Sequence, residues 1–169
     1  MKKSKKENSD LSFQFEHPLD NIQSTFINND SQAEQLLSEI EHQIKNRDDW
    51  SVRSNGIQLA LSCLKGGITN YLSIDYSSFS SDLAHCLTDL RSSLVKSGSL
   101  LVAASSQILQ ERYITSIKIV IPALFKQSAH GTALISESTR LAIIEITKNV
   151  QSSKTYHTIL SKIQSKSCQ

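Results

Sequence analysis

A repeated pair of amphipathic helices is the feature of this sequence that most constrains its fold. After residue 30, apolar residues recur at spacings of three and four, the period of one helix face, in six successive stretches. The second stretch of each pair contains Val52, then Val95, then Ile135, so the unit repeats roughly every 40 residues. Few glycines and prolines interrupt the chain, which favours helices over a turn-rich β fold. The sequence therefore predicts an all-α solenoid of about three and a half HEAT-like antiparallel helix pairs.

Local signals predict where the first two helices begin and end. Ser31 followed by Glu34 is a capping-box pattern, and it predicts a first helix over about 32–46. The second helix is predicted to end at Gly66, because glycine is common just past the last helical residue. The later helices are predicted over about 79–90, 94–108, 113–127 and 133–150.

A last apolar stripe near the C-terminus predicts half of a fourth pair. Its members are Tyr156, Ile159, Leu160 and Ile163. Half a pair leaves one apolar face of the stack incompletely covered. We therefore expect self-association or another protein to cover this exposed C-terminal half-repeat.

The first residues of the chain differ in composition from the rest. Residues 1 to about 30 are polar, rich in Asn, Asp and Ser, and basic at the start. Such a composition buries too little apolar surface to offset the entropy lost on ordering. The sequence therefore predicts a flexible polar and basic arm over 1–30, followed by a helical-repeat domain over 31–169. Docking of Leu11, Phe13 and Phe15 on that domain is the alternative.

Charge, hydropathy and cysteine usage exclude several classes of protein. A net charge of +2 is too small to indicate nucleic-acid binding, and no apolar run reaches the ~18 residues that a membrane helix needs. The N-terminus has no apolar stretch behind its lysines, so we do not expect a signal peptide. Cys63, Cys86 and Cys168 show no metal or redox spacing. They are typical of free thiols in a reducing compartment, and we expect a cytoplasmic protein.

We find no pattern that predicts an enzyme, a cofactor or a metal site. The five histidines stand apart, without His-Glu-x-x-His or Cys/His metal spacing. His85 and Cys86 are adjacent in sequence, but consecutive helical residues point about 100° apart and make no ready nucleophile–base pair. The Lys-Gly-Gly sequence at 65–67 follows a helix, whereas a phosphate loop precedes one.

The turns within the helix pairs are the remaining candidates for a site. They carry Trp50 with Arg53, then Arg91 with Ser92, Ser93 and Lys96, then Lys126 with His130 and Thr132. In a solenoid such turns line up along one edge, and Trp and Arg are residue types that dominate interfaces. The sequence leaves two interpretations open. Either Trp50, the only tryptophan, faces a partner with an acidic surface, or it is packed inward and the cations are merely solvated.

Three stretches resemble the TOG domains of the CLASP family, the cytoplasmic linker-associated proteins. They are Asp-Trp-Ser-Val-Arg at 49–53, Asp-Leu-Arg-Ser-Ser-Leu-Val-Lys at 89–96 and Ile-Pro-Ala-Leu-Phe at 121–125. The similarity covers about residues 32–169. TOG domains of this family are flat stacks of HEAT repeats that bind tubulin and regulate microtubule growth and rescue.

The resemblance implies a microtubule-binding protein of the cytoplasm, cytoskeleton and spindle that acts in cell division, with tubulin as its partner. By the same resemblance, the tubulin-contacting residues are Trp50, Arg53, Arg91, Ser92, Ser93, Lys96, His130 and Thr132. Two departures matter. A family TOG domain has about six HEAT repeats, more than this sequence predicts. Ala133 also stands near the place where the third turn often carries a lysine. The alternative is a HEAT-type scaffold that no longer binds tubulin.

Overall fold

The structure, a computed structural model, describes residues 10–71 and 77–153, together with residues 157, 159 and 161. In these residues the chain is helical and has no strand, so the predicted all-α class is confirmed. The six helices of the predicted pairs are α1 (Asp30–Lys45), α2 (Trp50–Lys65), α3 (Ser80–Cys86), α4 (Ser92–Leu109), α5 (Ile114–Gln127) and α6 (Ala133–Asn149). Short 3-10 helices lie between pairs, at Ile68–Asn70 and Gln110–Tyr113.

The helices pack in two layers, as expected of a solenoid. The first helices contact one another in the order α1, α3, α5, and the second helices in the order α2, α4, α6. The apolar core lies between the layers, and each pair contributes fully buried side chains to it. Examples are Ile44, Ile57, Leu61, Leu83, Leu101 and Ile121. Each pair therefore buries its apolar face against its neighbours, which is the physical basis of a repeat fold.

The three turns within the pairs lie at one edge of the stack. We call them the first turn (residues 46–49), the second turn (87–91) and the third turn (128–132), and together the turn edge. The ion pair between Arg53, near the first turn, and Asp89, in the second turn, joins these two turns. The direction of the helices places the third turn at the same edge. Gln110, with φ of 49°, reverses the chain directly after α4, so α5 runs back toward the edge from which α4 started.

Asn29, not the predicted Ser31, caps the first helix. Its side-chain oxygen accepts a hydrogen bond from the backbone N–H of Gln32 at 2.9 Å, and α1 begins at Asp30. The Ser31–Glu34 pattern therefore placed the N-cap two residues too late. Asn29 can take this role because its side chain, like that of Ser, accepts a hydrogen bond from an unpaired N–H in the first helical turn. The predicted end of the second helix is confirmed, with Gly66 as the cap residue.

Residues 10–27 lie across the outer surface of the second layer, and we call them the N-terminal strap. Residues 10–16 are helical, and in this segment Leu11 is 8% exposed and Phe15 is fully buried. The structure thus differs from the predicted flexible arm in this region and shows the docked alternative for Leu11 and Phe15. Phe13 remains 54% exposed. Two buried apolar side chains give the segment enough burial to order it, which its mean composition does not reveal. The basic residues 1–9 lie outside the described residues.

Hydrogen bonds from two helices fix the path of the strap. On α4, the Gln107 side chain donates to the carbonyls of Phe15 and Glu16, at 3.1 and 3.3 Å. On α2, the Lys65 ammonium donates to the carbonyls of Leu19 and Asp20, at 2.8 and 3.2 Å. These bonds satisfy strap carbonyls that have no partner within a helix ladder.

The strap also approaches the end of α2 closely. The backbone N–H of Thr25 donates to the Ser62 carbonyl at 3.1 Å. A Cβ added at Gly66 would lie 1.9 Å from the Thr25 carbonyl oxygen, so this position needs glycine for the strap to fit. Gly66 therefore serves both as the cap of α2 and as the contact that lets the strap pass.

The predicted half pair after α6 is described only in part. Ile159 is 7% exposed, so this member of the stripe is buried. Tyr156, Leu160 and Ile163 lie outside the described residues. None of the helices in the described part of the chain combines the length and apolar character that crossing a bilayer requires.

Candidate protein-interaction edge

A network of side-chain hydrogen bonds fixes the first turn. The Asn46 side-chain oxygen accepts from the backbone N–H groups of Asp48 and Asp49, at 3.0 and 2.7 Å. Asp49 caps α2 and accepts from the hydroxyl of Ser51 at 2.7 Å and from its backbone N–H at 2.8 Å. These bonds lower the pKa of Asp49. Trp50, the first residue of α2, is therefore held on a rigid support.

Arg53 joins the first turn to the second from below the surface. Its Nη2 lies 2.7 Å from Oδ2 of Asp89, and its Nη1 donates to the carbonyl of Asn46 at 2.8 Å. The side chains of Arg53 and Asp89 are only 5% and 10% exposed. Arg53 is therefore not at the surface in this structure, where the resemblance implied a tubulin contact. Its guanidinium is occupied inside the stack and positions the turns instead.

Asp89 connects this buried ion pair to the exposed Arg91. Its Oδ1 accepts the backbone N–H of Arg91 at 2.8 Å. Burial raises the pKa of the Asp89 carboxyl, but the hydrogen bonds from Arg91 and Arg53 and their charges outweigh it, and the pKa is lowered overall. The carboxylate is therefore charged at neutral pH and holds the start of α4 in place.

Trp50 and Arg91 meet at the surface across the first two turns. The guanidinium carbon of Arg91 lies 5.4 Å from the centroid of the indole ring, within the range of a cation–π contact. Trp50 is 40% exposed, and the Arg91 side chain is 51% exposed. Of the two interpretations of Trp50, the structure favours the outward one, with one face of the ring covered by Arg91.

Leu90 is the surface residue that the sequence interpretation misplaced. The 3.6-residue period assigned it to the apolar face of a helix running to residue 90, but α3 ends at Cys86 and Leu90 lies in the second turn, 95% exposed. An apolar residue directly between Asp89 and Arg91 is the only signal that could have identified it. Leu90 directly precedes Arg91 in sequence and adds an exposed apolar side chain to the turn edge.

The other predicted contacts on α4 differ in exposure. Ser93 is exposed, whereas Ser92 and Lys96 are half-buried. Lys96 lies beyond the first helical turn and lines a cleft toward the strap. The structure thus brings Trp50, Arg91 and Ser93 to the surface near the first two turns and turns Lys96 toward the strap.

The third turn carries His130 and Thr132, both exposed. The Nδ1 atom of His130 accepts the backbone N–H of Thr132 at 3.0 Å, and Arg140 donates to the carbonyl of Ser128 at 3.0 Å. These side chains close the turn by capping the neighbouring helix ends. Lys126, at the end of α5, is also exposed and has no ion-pair partner among the described residues.

The described residues contain no cluster of His, Cys, Asp and Glu that could hold a metal ion. Cys86 is fully buried, and burial raises the pKa of its thiol to about 11. Cys63 is buried in the same way, with a pKa of about 11. A buried thiol with a raised pKa is a poor nucleophile, so neither group points to covalent catalysis. Cys168 lies outside the described residues.

The family comparison agrees with this architecture. The sequence profile described as "CLASP N terminal" matches residues 29–169, which is most of the chain and includes all three pairs and the whole turn edge. The match begins at the residue that caps α1, so the strap precedes it. No curated protein is similar enough to the chain to be matched to it. The two-layered repeat and the profile match together show that this chain belongs to the CLASP N-terminal family.

Proposed function

We propose that this protein binds tubulin or microtubules through the turn edge and contributes in this way to microtubule dynamics and spindle organisation. The Trp50–Arg91 contact is the observation that carries the proposal. Membership of the CLASP N-terminal family supports a microtubule-associated role in general. The protein would accordingly act in the cytoplasm on the cytoskeleton, as a binding protein without a catalytic site.

The chemistry of the edge suits an acidic protein surface with an apolar recess. Arg91 offers a planar guanidinium whose free donors can pair with a carboxylate in bidentate geometry. The exposed parts of Trp50 and Leu90 offer apolar area beside that charge. The hydrogen-bonded first turn and the Arg53–Asp89 ion pair hold these groups in place before any partner arrives. Preorganisation of this kind reduces the entropic cost of binding.

The proposed contact set differs from the set drawn from the resemblance, because Leu90 is added and Arg53 is no longer a direct contact. It consists of Trp50, Leu90, Arg91, Ser92 and Ser93, with Lys96 near it and with His130 and Thr132 as contacts from the third turn. Arg53 belongs to it only as a positioning residue. Trp and Arg at the centre of an interface commonly account for most of its binding energy, so we place the main contribution on Trp50 and Arg91.

Co-sedimentation with microtubules and gel filtration with free tubulin test the proposal. The double variant Trp50→Ala, Arg91→Glu should weaken binding roughly 30-fold, which corresponds to about 2 kcal/mol. The variant Lys118→Glu reverses an exposed cation on α5, away from the turns, and serves as the matched control. Binding that the double variant leaves unchanged would contradict a role of this edge.

A helical scaffold that binds another protein and no tubulin is the second candidate. Its support is the reduced number of free cations, because Arg53 is buried and Arg91 already lies over Trp50. The third turn also places Ala133 at the start of α6, where the resemblance implied a lysine. Wild-type protein that neither sediments with microtubules nor co-elutes with tubulin would favour this candidate.

A further inference from the structure

We propose that the cleft between the N-terminal strap and the second layer of helices binds an extended acidic peptide segment, with Lys96 as its anchoring cation. This inference goes beyond tubulin binding at the turn edge, because it concerns a second surface and a ligand that is defined only as an acidic, extended peptide. It rests on the shape of the cleft, on the charges of its lining and on the lack of a partner for Lys96.

The strap builds the cleft by crossing the second layer without filling it. The cleft has a volume of ≈ 480 Å³ and is open to solvent, a size within the range of ligand pockets, ~300–1,000 Å³. His17 and Ile22 of the strap form one wall. The opposite wall consists of helix residues from all three pairs, such as Gln58, Ser97 and Leu134. An open trough of this kind suits a peptide chain better than an enclosed small molecule.

The lining favours a negative occupant with apolar neighbours. Among the described residues that form the cleft, Lys96 and His17 are the ionisable ones, and none is an aspartate or a glutamate. Ser97 and Gln58 supply side-chain donors for backbone carbonyls. The half-buried Leu134 supplies apolar area between them. An acidic peptide with interspersed apolar residues matches this combination.

Lys96 differs from the other lysines of the described part of the chain. Lys65 and Lys148 have hydrogen-bond acceptors, and Lys45, Lys118 and Lys126 are exposed. Lys96 alone among these is half-buried while having neither an ion pair nor a hydrogen bond. A carboxylate in the cleft would therefore meet an ammonium that is not already paired with another described residue.

The test uses the full chain and a short fluorescein-labelled peptide of Glu with interspersed Leu, followed by fluorescence anisotropy without tubulin. Wild-type protein should bind the peptide saturably, and binding should weaken as salt is added, because salt screens exposed charges. A peptide with Lys in place of Glu should not bind. In Lys96→Gln the affinity should fall roughly fivefold or more, since the pair is partly shielded from water.

Lys118→Gln is the control, because it removes the same charge from an exposed site on α5. Ser97→Tyr introduces a bulky side chain into the cleft without changing its charge, so it should also weaken peptide binding. Circular dichroism verifies that each variant is folded. Absence of saturable binding to wild-type protein, or equal losses in Lys96→Gln and Lys118→Gln, would overturn the proposal. Trp50→Ala, Arg91→Glu should retain peptide binding, which separates this site from the turn edge.

Discussion

Arg53 in α2 forms a buried ion pair with Asp89 in the second turn, with Nη2 2.7 Å from Oδ2. The same guanidinium donates to the Asn46 carbonyl in the first turn, and the same carboxylate accepts the backbone N–H of Arg91. Two turns separated in sequence by two helices, α2 and α3, are thus joined beneath the surface. The exposed contact between Arg91 and Trp50 depends on this link, because both residues are carried by the turns it connects.

Removal of Arg53 should destabilise the fold. In Arg53→Ala we expect the free energy of unfolding to fall by about 3 kcal/mol, because Asp89 is left as a buried charge without its partner. One donor, Nε of Arg53, is buried without an acceptor, which places the loss at the lower end of the usual range. Urea unfolding followed by circular dichroism measures it.

The ion pair of Arg47 with Asp82 provides the matched comparison. It joins the same residue types, but its side chains are 48% and 22% exposed. Arg47→Ala should therefore cost at most about 1 kcal/mol, because solvent screens exposed pairs. Equal losses in the two variants would show that burial of the Arg53–Asp89 pair does not matter.

Acid should remove the contribution of Asp89. Its pKa in the folded protein lies below the value of 3.8 for an unperturbed carboxyl. A group of this kind stabilises the folded state above its unfolded pKa and loses this effect as the pH falls through its folded pKa. The stability difference between wild type and Asp89→Asn should thus be constant from pH 7 to about pH 5 and shrink below about pH 4. Urea titrations across this pH series measure it. A difference that grows on acidification would contradict the lowered pKa.

Arg91 should shield the only tryptophan. In Arg91→Ala the indole of Trp50 loses the guanidinium that covers one face, so its emission should shift to the red and acrylamide should quench it more strongly. The free energy of unfolding should change by no more than about 1 kcal/mol, because the contact is exposed. Arg112→Ala is the control, since Arg112 donates to the Thr69 carbonyl between the first two pairs. Identical quenching in wild type and Arg91→Ala would exclude the contact in solution.

The strap should contribute to the stability of the domain through Phe15. Its side chain is fully buried, so Phe15→Ala should lower the free energy of unfolding by about 3–5 kcal/mol. Phe13→Ala removes the same side chain two residues earlier, where it is 54% exposed, and should cost less than about 1 kcal/mol. Thermal unfolding of the two variants measures the difference. A strap that is detached in solution would make the two substitutions equivalent.

The sequence predicted the repeat well because each helix pair is specified locally. The apolar residues of α4, α5 and α6 follow the helical period, and these helices begin and end within about two residues of the predicted bounds. The period was less informative for α3. This helix has only seven residues and ends at Cys86, so the predicted helix, which extended to Leu90, wrongly included residues of the second turn.

The candidate site was predicted less completely. Trp50 and Arg91 were identified from residue type and position in a turn, and the structure places them together at the surface. Arg53 has the same residue type and a similar position, yet it is buried. The difference arises from Asp89, which lies 36 residues away in sequence and becomes its partner only when two pairs stack.

The sequence by itself determined the helical class, the pairing of helices and the family, because these depend on hydrophobic period and turn residues within each repeat. The tertiary structure alone decided which cation is exposed, where Leu90 stands and how the strap lies on the second layer. These properties depend on contacts between residues far apart in the chain, such as Phe15 with Gln107 or Gly66 with Thr25. Burial and charge pairing are set by such neighbours, and a local pattern carries no information about them.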